Sequence, residues 1–336
     1  MPTHVRSALA LLVVLGLALL SACSAGPSTP GGSTGGAAPG QVGAQVQLSS
    51  GTCWTRATLG SDPQVVLKLA GQFGVSYFDA AHALTGRPAF ALTQSCSAPH
   101  AVEVYKAVSM TDVKPQVTTY TQLLQAGSNA YARLAANVAR ACMNQTLFDA
   151  ASATGMTGAV MAPQFPDSMT LGWAPPSPQQ WAAGQRVYAC TLTQARPSAL
   201  LYAAVFTRSF PTEDRTCIDN KSLVYVDCAR SHNRERIAVL EMRTAVAAGQ
   251  LAGAGAISNG PDGRYVALAG SVYSALDRAC TTYLRAISRT TRLSGVAEID
   301  ADQWPVRKTG SYPVACEADT PPTKKPLTTR GSVYDR

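Results

Sequence analysis

Charge is scarce in this chain. Its 336 residues include 28 Lys and Arg against 20 Asp and Glu, 14% in all. No Lys/Arg stripe is interleaved with aromatics as a nucleic-acid surface requires, so nucleic acid is not an expected partner. Histidine is scarcer still: beyond His4 there are only His82, His100 and His232. The chain has no H-E-x-x-H, no S-x-x-K, no Walker loop and no dinucleotide fingerprint, so the common hydrolase, nucleotide-binding and dehydrogenase chemistries find no footing. Gly253-Ala-Gly255 lacks the third glycine and a preceding strand. Gly31-Gly-Ser33-Thr-Gly35 satisfies G-x-S-x-G. A nucleophile elbow needs a strand before it and a helix after it, and this match lies in Gly/Pro-rich sequence. Long apolar runs are also missing: Ala8 to Leu20 has 13 residues, short of the ~20 that cross a bilayer as a helix.

What is present begins with an address. His4 and Arg6 precede that apolar run, which ends in Leu20-Ser21-Ala22-Cys23. Basic start, apolar run and small residues read as a secretory signal over 1–22. The ending resembles the lipobox of bacterial lipoproteins. The resemblance implies cleavage before Cys23, which would then carry thioether-linked lipid and palmitate. Cysteine arithmetic agrees, since nine cysteines are odd for an exported chain and removing Cys23 leaves eight. Export would put them in an oxidising compartment where disulfides persist. Ser24 to Gln45 is Gly, Ala, Ser, Pro, Thr, Gln and Val without charge. Residues 23–48 are therefore expected to be a lipid-anchored flexible tether, about 25–30 Å in root-mean-square reach. The net charge of +8 falls to +7 when Arg6 leaves with the signal. At the other end, 318–336 carries Pro321-Pro322 and Lys324-Lys325-Pro326, and is expected to be a disordered basic tail.

Between these ends one set of residues occurs twice in the same order. The first runs Cys53, then Cys96-x3-His100-x2-Glu103, Arg140-Ala-Cys142, Trp181 and Cys190. The second runs Cys217, then Cys228-x3-His232-x2-Glu235, Arg278-Ala-Cys280, Trp304 and Cys316. Two cysteine-framed repeats are expected, 49–208 and 209–317. Four cysteines allow three pairings per repeat. The sequential one is expected: Cys53–Cys96, Cys142–Cys190, Cys217–Cys228 and Cys280–Cys316.

Apolar alternation predicts strands at 99–108, 186–192 and 199–207, and in the second repeat at 222–228, 236–240 and 312–316, with Pro313 making the last an edge strand. Apolar spacings of three, four and seven predict helices over 120–143 and 265–286. The expected fold class is α+β, each repeat a small antiparallel sheet with a packed helix. The stretch 61–90 has no counterpart in the second repeat, being an insertion in the first copy or a loss from the second, and reads as a surface loop. The segment Asp149 to Pro178 also reads as a loop.

The first repeat resembles the septum-formation domain family, envelope proteins of high-GC Gram-positive bacteria. The matching residues are Gly51-Thr-Cys53-Trp54, Cys96-x-x-Pro-His100-x-x-Glu103-Val104 and Trp181-x-x-Gly184-Gln-Arg186-x-x-x-Cys190. The second repeat matches more loosely: no Trp follows Cys217, Ser231 replaces the proline, and no Gly-Gln-Arg precedes Cys316. The resemblance implies an extracytoplasmic address and a link to cell division, and brings no catalytic residues.

His100 with Glu103 and His232 with Glu235 are the polar candidates for binding. Strand alternation sets the members of each pair on opposite faces unless Pro99 begins a turn. A zinc site would need thiolates that oxidised cysteines cannot offer, so no metal and no cofactor is expected. Trp54, Trp181 and Trp304 read as core packing beside disulfides, whereas Trp173, in a Pro-rich stretch, reads as a partner contact. The expected function is a non-catalytic binding or scaffold role at the outer face of the cytoplasmic membrane. Partners would be the membrane itself through the lipid, and envelope or divisome proteins or wall polymer. A carrier or sensor of a small envelope ligand is the alternative, and a wall-active enzyme a more distant one.

Overall fold

The computed structural model describes residues 49–57, 63–85, 89–110, 117–219, 224–251, 256–258, 264–289, 292–300, 304, 311–320 and 330–335. Cys23, the signal and tether, and His82's side chain lie outside the described residues. So does the stretch 321–329.

The described elements begin with β1 (Thr52–Ala57), then α1 (Pro63–Phe73), α2 (Tyr77–Thr85), β2 (Ala89–Gln94) and β3 (His100–Ser109). It continues with α3 (Tyr120–Leu124), α4 (Asn129–Cys142), α5 (Gln145–Ser152), β4 (Val160–Pro163), β5 (Met169–Ala174), α6 (Pro178–Ala182) and β6 (Val187–Ser198). The later part holds β7 (Thr216–Asp219), β8 (Val224–Val226), β9 (Arg234–Glu241), α7 (Arg243–Ala247), β10 (Ala256–Ser258) and β11 (Arg264–Val266). It closes with α8 (Gly270–Ile287), β12 (Ser294–Glu298) and β13 (Pro313–Asp319). Short 3-10 turns occupy Tyr202–Phe206, Thr212–Asp214 and Val333–Asp335.

These elements make an α+β fold with two main antiparallel sheets. The first has the order β2-β1-β3-β6-β5, the second β12-β13-β9-β7-β8, and β10-β11 is a separate hairpin. Helix α4 and β3/β6 enclose one core around Val108, Leu134, Val138 and Tyr188. The larger core lies under the second sheet, where α8 contributes Leu276, Ala279, Tyr283 and Leu284.

The division between halves is not clean. β4 does not join the first sheet: it pairs antiparallel with β9, setting Val160 opposite Glu241 and Pro163 opposite Ala238. On the same edge β9 pairs β7 only over Arg234–Arg236, so β4 completes that edge beyond the point where β7 ends. Leu147, Ala150, Ala151 and Met161, from the first half of the chain, are buried in the second core.

Several sequence expectations require correction. The segment 149–178 is not a loop but holds the end of α5, β4 and β5, because its apolar residues have cores to enter. The stretch 61–90 is largely a helical hairpin with its own small core of Val66, Ala70 and Ala80. The helix expected over 120–143 is two: the chain turns at 125–128, and Ser128 caps α4 by accepting from the Tyr131 amide at 3.1 Å. The strand expected at 199–207 is a 3-10 turn. β13 is not an edge strand, since Pro313 stands at its first residue, where a missing amide hydrogen is tolerated, and β12 and β9 flank it. The expected tail from 318 is corrected at both ends: Ala318 and Asp319 belong to β13, and Ser332, Val333 and Tyr334 are buried in the second core.

Candidate functional site

The four disulfides pair sequentially, Cys53–Cys96, Cys142–Cys190, Cys217–Cys228 and Cys280–Cys316. Their strands share a register. Cys53 stands opposite Glu103 across β1/β3, and Cys217 opposite Glu235 across β7/β9. On the other edge Cys190 faces Lys106 and Cys316 faces Ala238, each three residues past the glutamate.

Both candidate histidines are buried, His100 completely. Each turns Nδ1 onto the carbonyl two residues back, His100 on Ala98 O at 3.0 Å and His232 on Arg230 O at 2.9 Å. A carbonyl only accepts, so Nδ1 carries the hydrogen in both rings. His100 Nε2 is buried with no hydrogen-bond partner among the described residues. The β3/β6 register shifts between His100 and Val102, with the extra residues in β6 between Ser198 and Thr193.

The glutamates do related work. Glu103 Oε2 accepts from the Tyr202 amide at 2.5 Å, at the start of the 3-10 turn that follows β6. Glu235 accepts from the Ser332 hydroxyl at 2.6 Å and the Val333 amide at 2.7 Å, at the start of the last 3-10 turn. Burial raises the Glu103 carboxyl above its usual range, while the Tyr202 amide and nearby His100 pull it back down. Beneath these turns lie phenols made weaker acids chiefly by burial: Tyr105, stacked on Tyr202 at 3.8 Å, and Tyr283, whose hydroxyl meets that of Tyr334 at 3.2 Å.

One donor cluster could suggest a metal: Cys217, Cys228 and Glu235 present ligand atoms within 4.8 Å of one another. Its chemistry does not fit while the two sulfurs are bonded to each other at 2.01 Å, since zinc takes thiolates. Both Glu235 oxygens already accept hydrogen bonds as well.

The tryptophans divide. Trp54 and Trp304 are buried, with Trp304 edge-on to Tyr312. Trp173 is no loop residue: it lies in β5, half-buried, against Tyr131 and Tyr188 at 5.5 and 5.7 Å. The Trp181-x-x-Gly184-Gln-Arg186 string is a helix stop. Gly184 takes φ +79°, Gln185 N donates to Gln180 O, and the Arg186 guanidinium lies 3.4 Å over the Trp181 ring. Sequence reasoning missed the partners of the glutamates, Tyr202, Ser332 and Val333. Their only signal was apolar and small residues in stretches assigned to a strand and a tail.

Compared with known proteins, the chain matches no family model, no curated protein and no solved structure.

Proposed function

We propose that this chain is an extracytoplasmic lipoprotein, anchored through Cys23, with a non-catalytic binding or scaffold role in the cell envelope linked to septum formation. Its body is a pair of diverged disulfide-framed repeats. The observation that carries the reading is the commitment of its best chemical groups. Glu103 and Glu235 are buried and hold backbone amides, and His100 and His232 turn Nδ1 onto nearby carbonyls. Acid–base groups spent in this way stiffen a scaffold rather than meet a substrate. Matching register around both glutamates supports the two-repeat architecture. Four disulfides support an oxidising address only weakly. The septal link rests on the sequence resemblance alone, and partners would be divisome or other envelope proteins, or wall polymer.

Localisation of a tagged copy in dividing cells, beside Cys23→Ser, tests this. Septal enrichment that survives loss of the lipid is expected. A uniform envelope signal for both would overturn the septal assignment, and a wild-type chain found soluble would overturn the anchor.

A further inference from the structure

Among the exposed large apolar residues described in the first half, Leu67, Tyr77, Phe78, Phe148 and Val187, two are consecutive and aromatic. Phe78 is 82% exposed and Tyr77 40%, their rings edge-to-face with centroids 6.1 Å apart. They sit where α1 turns into α2, and from Leu69 to Phe78 the sequence has no charged residue.

This tip is rigidly built. Gly74 takes φ +61° to make the turn, and the Val75 amide donates to Ala70 O at 3.2 Å. Ser76 Oγ donates to Asp79 Oδ2 at 2.8 Å and accepts from the Asp79 amide at 3.0 Å, starting α2 and occupying the first carboxylate beyond the tip. Phe73 packs on Tyr120 at 4.6 Å, and Thr121 Oγ1 donates to Phe73 O, fastening the tip to α3. The exposed pair on β8 differs, because Arg236 reaches over the Tyr225 ring at 5.7 Å.

We propose that the α1–α2 tip dips Tyr77 and Phe78 into the interface of the bilayer that anchors the chain. The inference rests on the lipid-anchor reading of Cys23. Two rings expose on the order of 300 Å² at most, well below the ~800 Å² per side of a stable protein interface. A small, uncharged, aromatic tip suits the headgroup–acyl boundary, where Phe and Tyr lower their free energy without a complementary surface. One aromatic pair binds a bilayer weakly on its own. It becomes effective if residues 23–48 act as the tether expected from their composition and keep the local lipid concentration high. The consequence is orientation: the α1–α2 hairpin, fastened to α3, would face the membrane.

The test uses residues 24–336 with a histidine tag replacing Cys23, held on vesicles of phosphatidylcholine and phosphatidylglycerol containing a chelating lipid. The tag supplies the anchor, so the outcome is independent of whether Cys23 is lipidated in cells. In Phe78→Trp the added emission, taken as the difference from the parent, should shift to the blue. It should fall at least twofold when the acyl chains are dibrominated. With the tag removed, Phe78→Ser should lower vesicle partitioning roughly tenfold, with unchanged circular dichroism and thermal midpoint. Equal emission on brominated and plain vesicles would overturn the proposal. So would a Phe78→Ser variant that partitions normally, or one that instead loses capture of an envelope protein.

Discussion

Glu235 accepts the amide hydrogen of Val333 at 2.7 Å, joining β9 to a residue 98 positions further along. Glu103 does the same for Tyr202, 99 positions along. In each case a strand carboxylate, set opposite a disulfide cysteine, receives the first amide of a 3-10 turn. The orphan donors at a helical start are thereby satisfied inside the protein, where water cannot do it. The first turn follows β6 almost at once, whereas the second is delivered by chain that has already left β13.

The closing segment should therefore be a structural part of the second core. Glu235→Ala leaves the Ser332 hydroxyl and Val333 amide without their acceptor. It should cost about 3 kcal/mol or more in urea unfolding. Ending the chain at Thr329 also removes Tyr334 from beneath Arg215, 3.7 Å away, and should cost at least as much. Combined, the two changes should cost no more than the truncation alone, because they remove one interaction. Additive losses would mean that Glu235 supports something other than this segment.

Glu103 predicts a pH dependence of definite sign. Burial raises its folded value above the ordinary 4.5, so the folded state binds its proton more readily than the unfolded state does. Stability from this group is greatest below about pH 4.5 and declines as pH rises through the elevated folded value. Glu103→Gln keeps an oxygen for the Tyr202 amide and cannot ionise. Chemical denaturation from pH 4 to 8 should show that variant gaining on wild type as pH rises. Glu298 and Asp214 are also raised by burial, so the comparison must be the difference between the two proteins. A constant difference across the range would contradict this account.

Disulfide removal should rank with loop length. Cys142–Cys190 closes 48 positions and Cys217–Cys228 only 11, and all four cysteines are buried, so the packing losses are comparable. The chain-entropy estimate is about 4 kcal/mol for the longer loop and about 3 kcal/mol for the shorter. Paired Cys→Ala variants compared by guanidinium unfolding should show the longer loop costing about 1 kcal/mol more. The reverse order would show that folded-state contacts around Cys217 and Cys228 outweigh loop entropy.

The parts of this fold legible in the sequence were those fixed by local pattern. Val102, Val104 and Val108 announced β3, the spacing along 265–286 announced α8 from Gly270 onward although Tyr265 and Val266 fall in β11, and the ordered cysteines gave a pairing that the structure shares. What was not legible depended on distant partners. Val160–Pro163 is too short to announce itself, and only the open half of the β9 edge makes it a strand. Ser332 and Val333 read as tail residues because nothing near them signals Glu235. His100 and Glu103 looked like a chemical pair, yet the features that commit them are the Ala98 carbonyl and the Tyr202 amide. Spacing does not reveal main-chain partners brought by a turn.

Two glycines give opposed predictions from one substitution. Gly295 in β12 lies against α8, where Thr281 Oγ1 donates to its carbonyl at 2.9 Å, and an added Cβ would run into the backbone of Cys280 and Thr281. Backbone atoms cannot yield as a flexible side chain does, so Gly295→Ala must push β12 from α8, beside the Cys280–Cys316 disulfide. A loss of about 3 kcal/mol is expected, with a lowered thermal midpoint. Gly71, within α1, has nothing within 4 Å of the position its Cβ would take. There Ala gains helix propensity and lowers the entropy of the unfolded chain, so Gly71→Ala should stabilise by about 0.5–1 kcal/mol wherever α1 unfolds with the rest. Hydrogen exchange in α1 separates the cases. Slower exchange confined to 63–73, with an unchanged global midpoint, would show that the hairpin opens independently of the core.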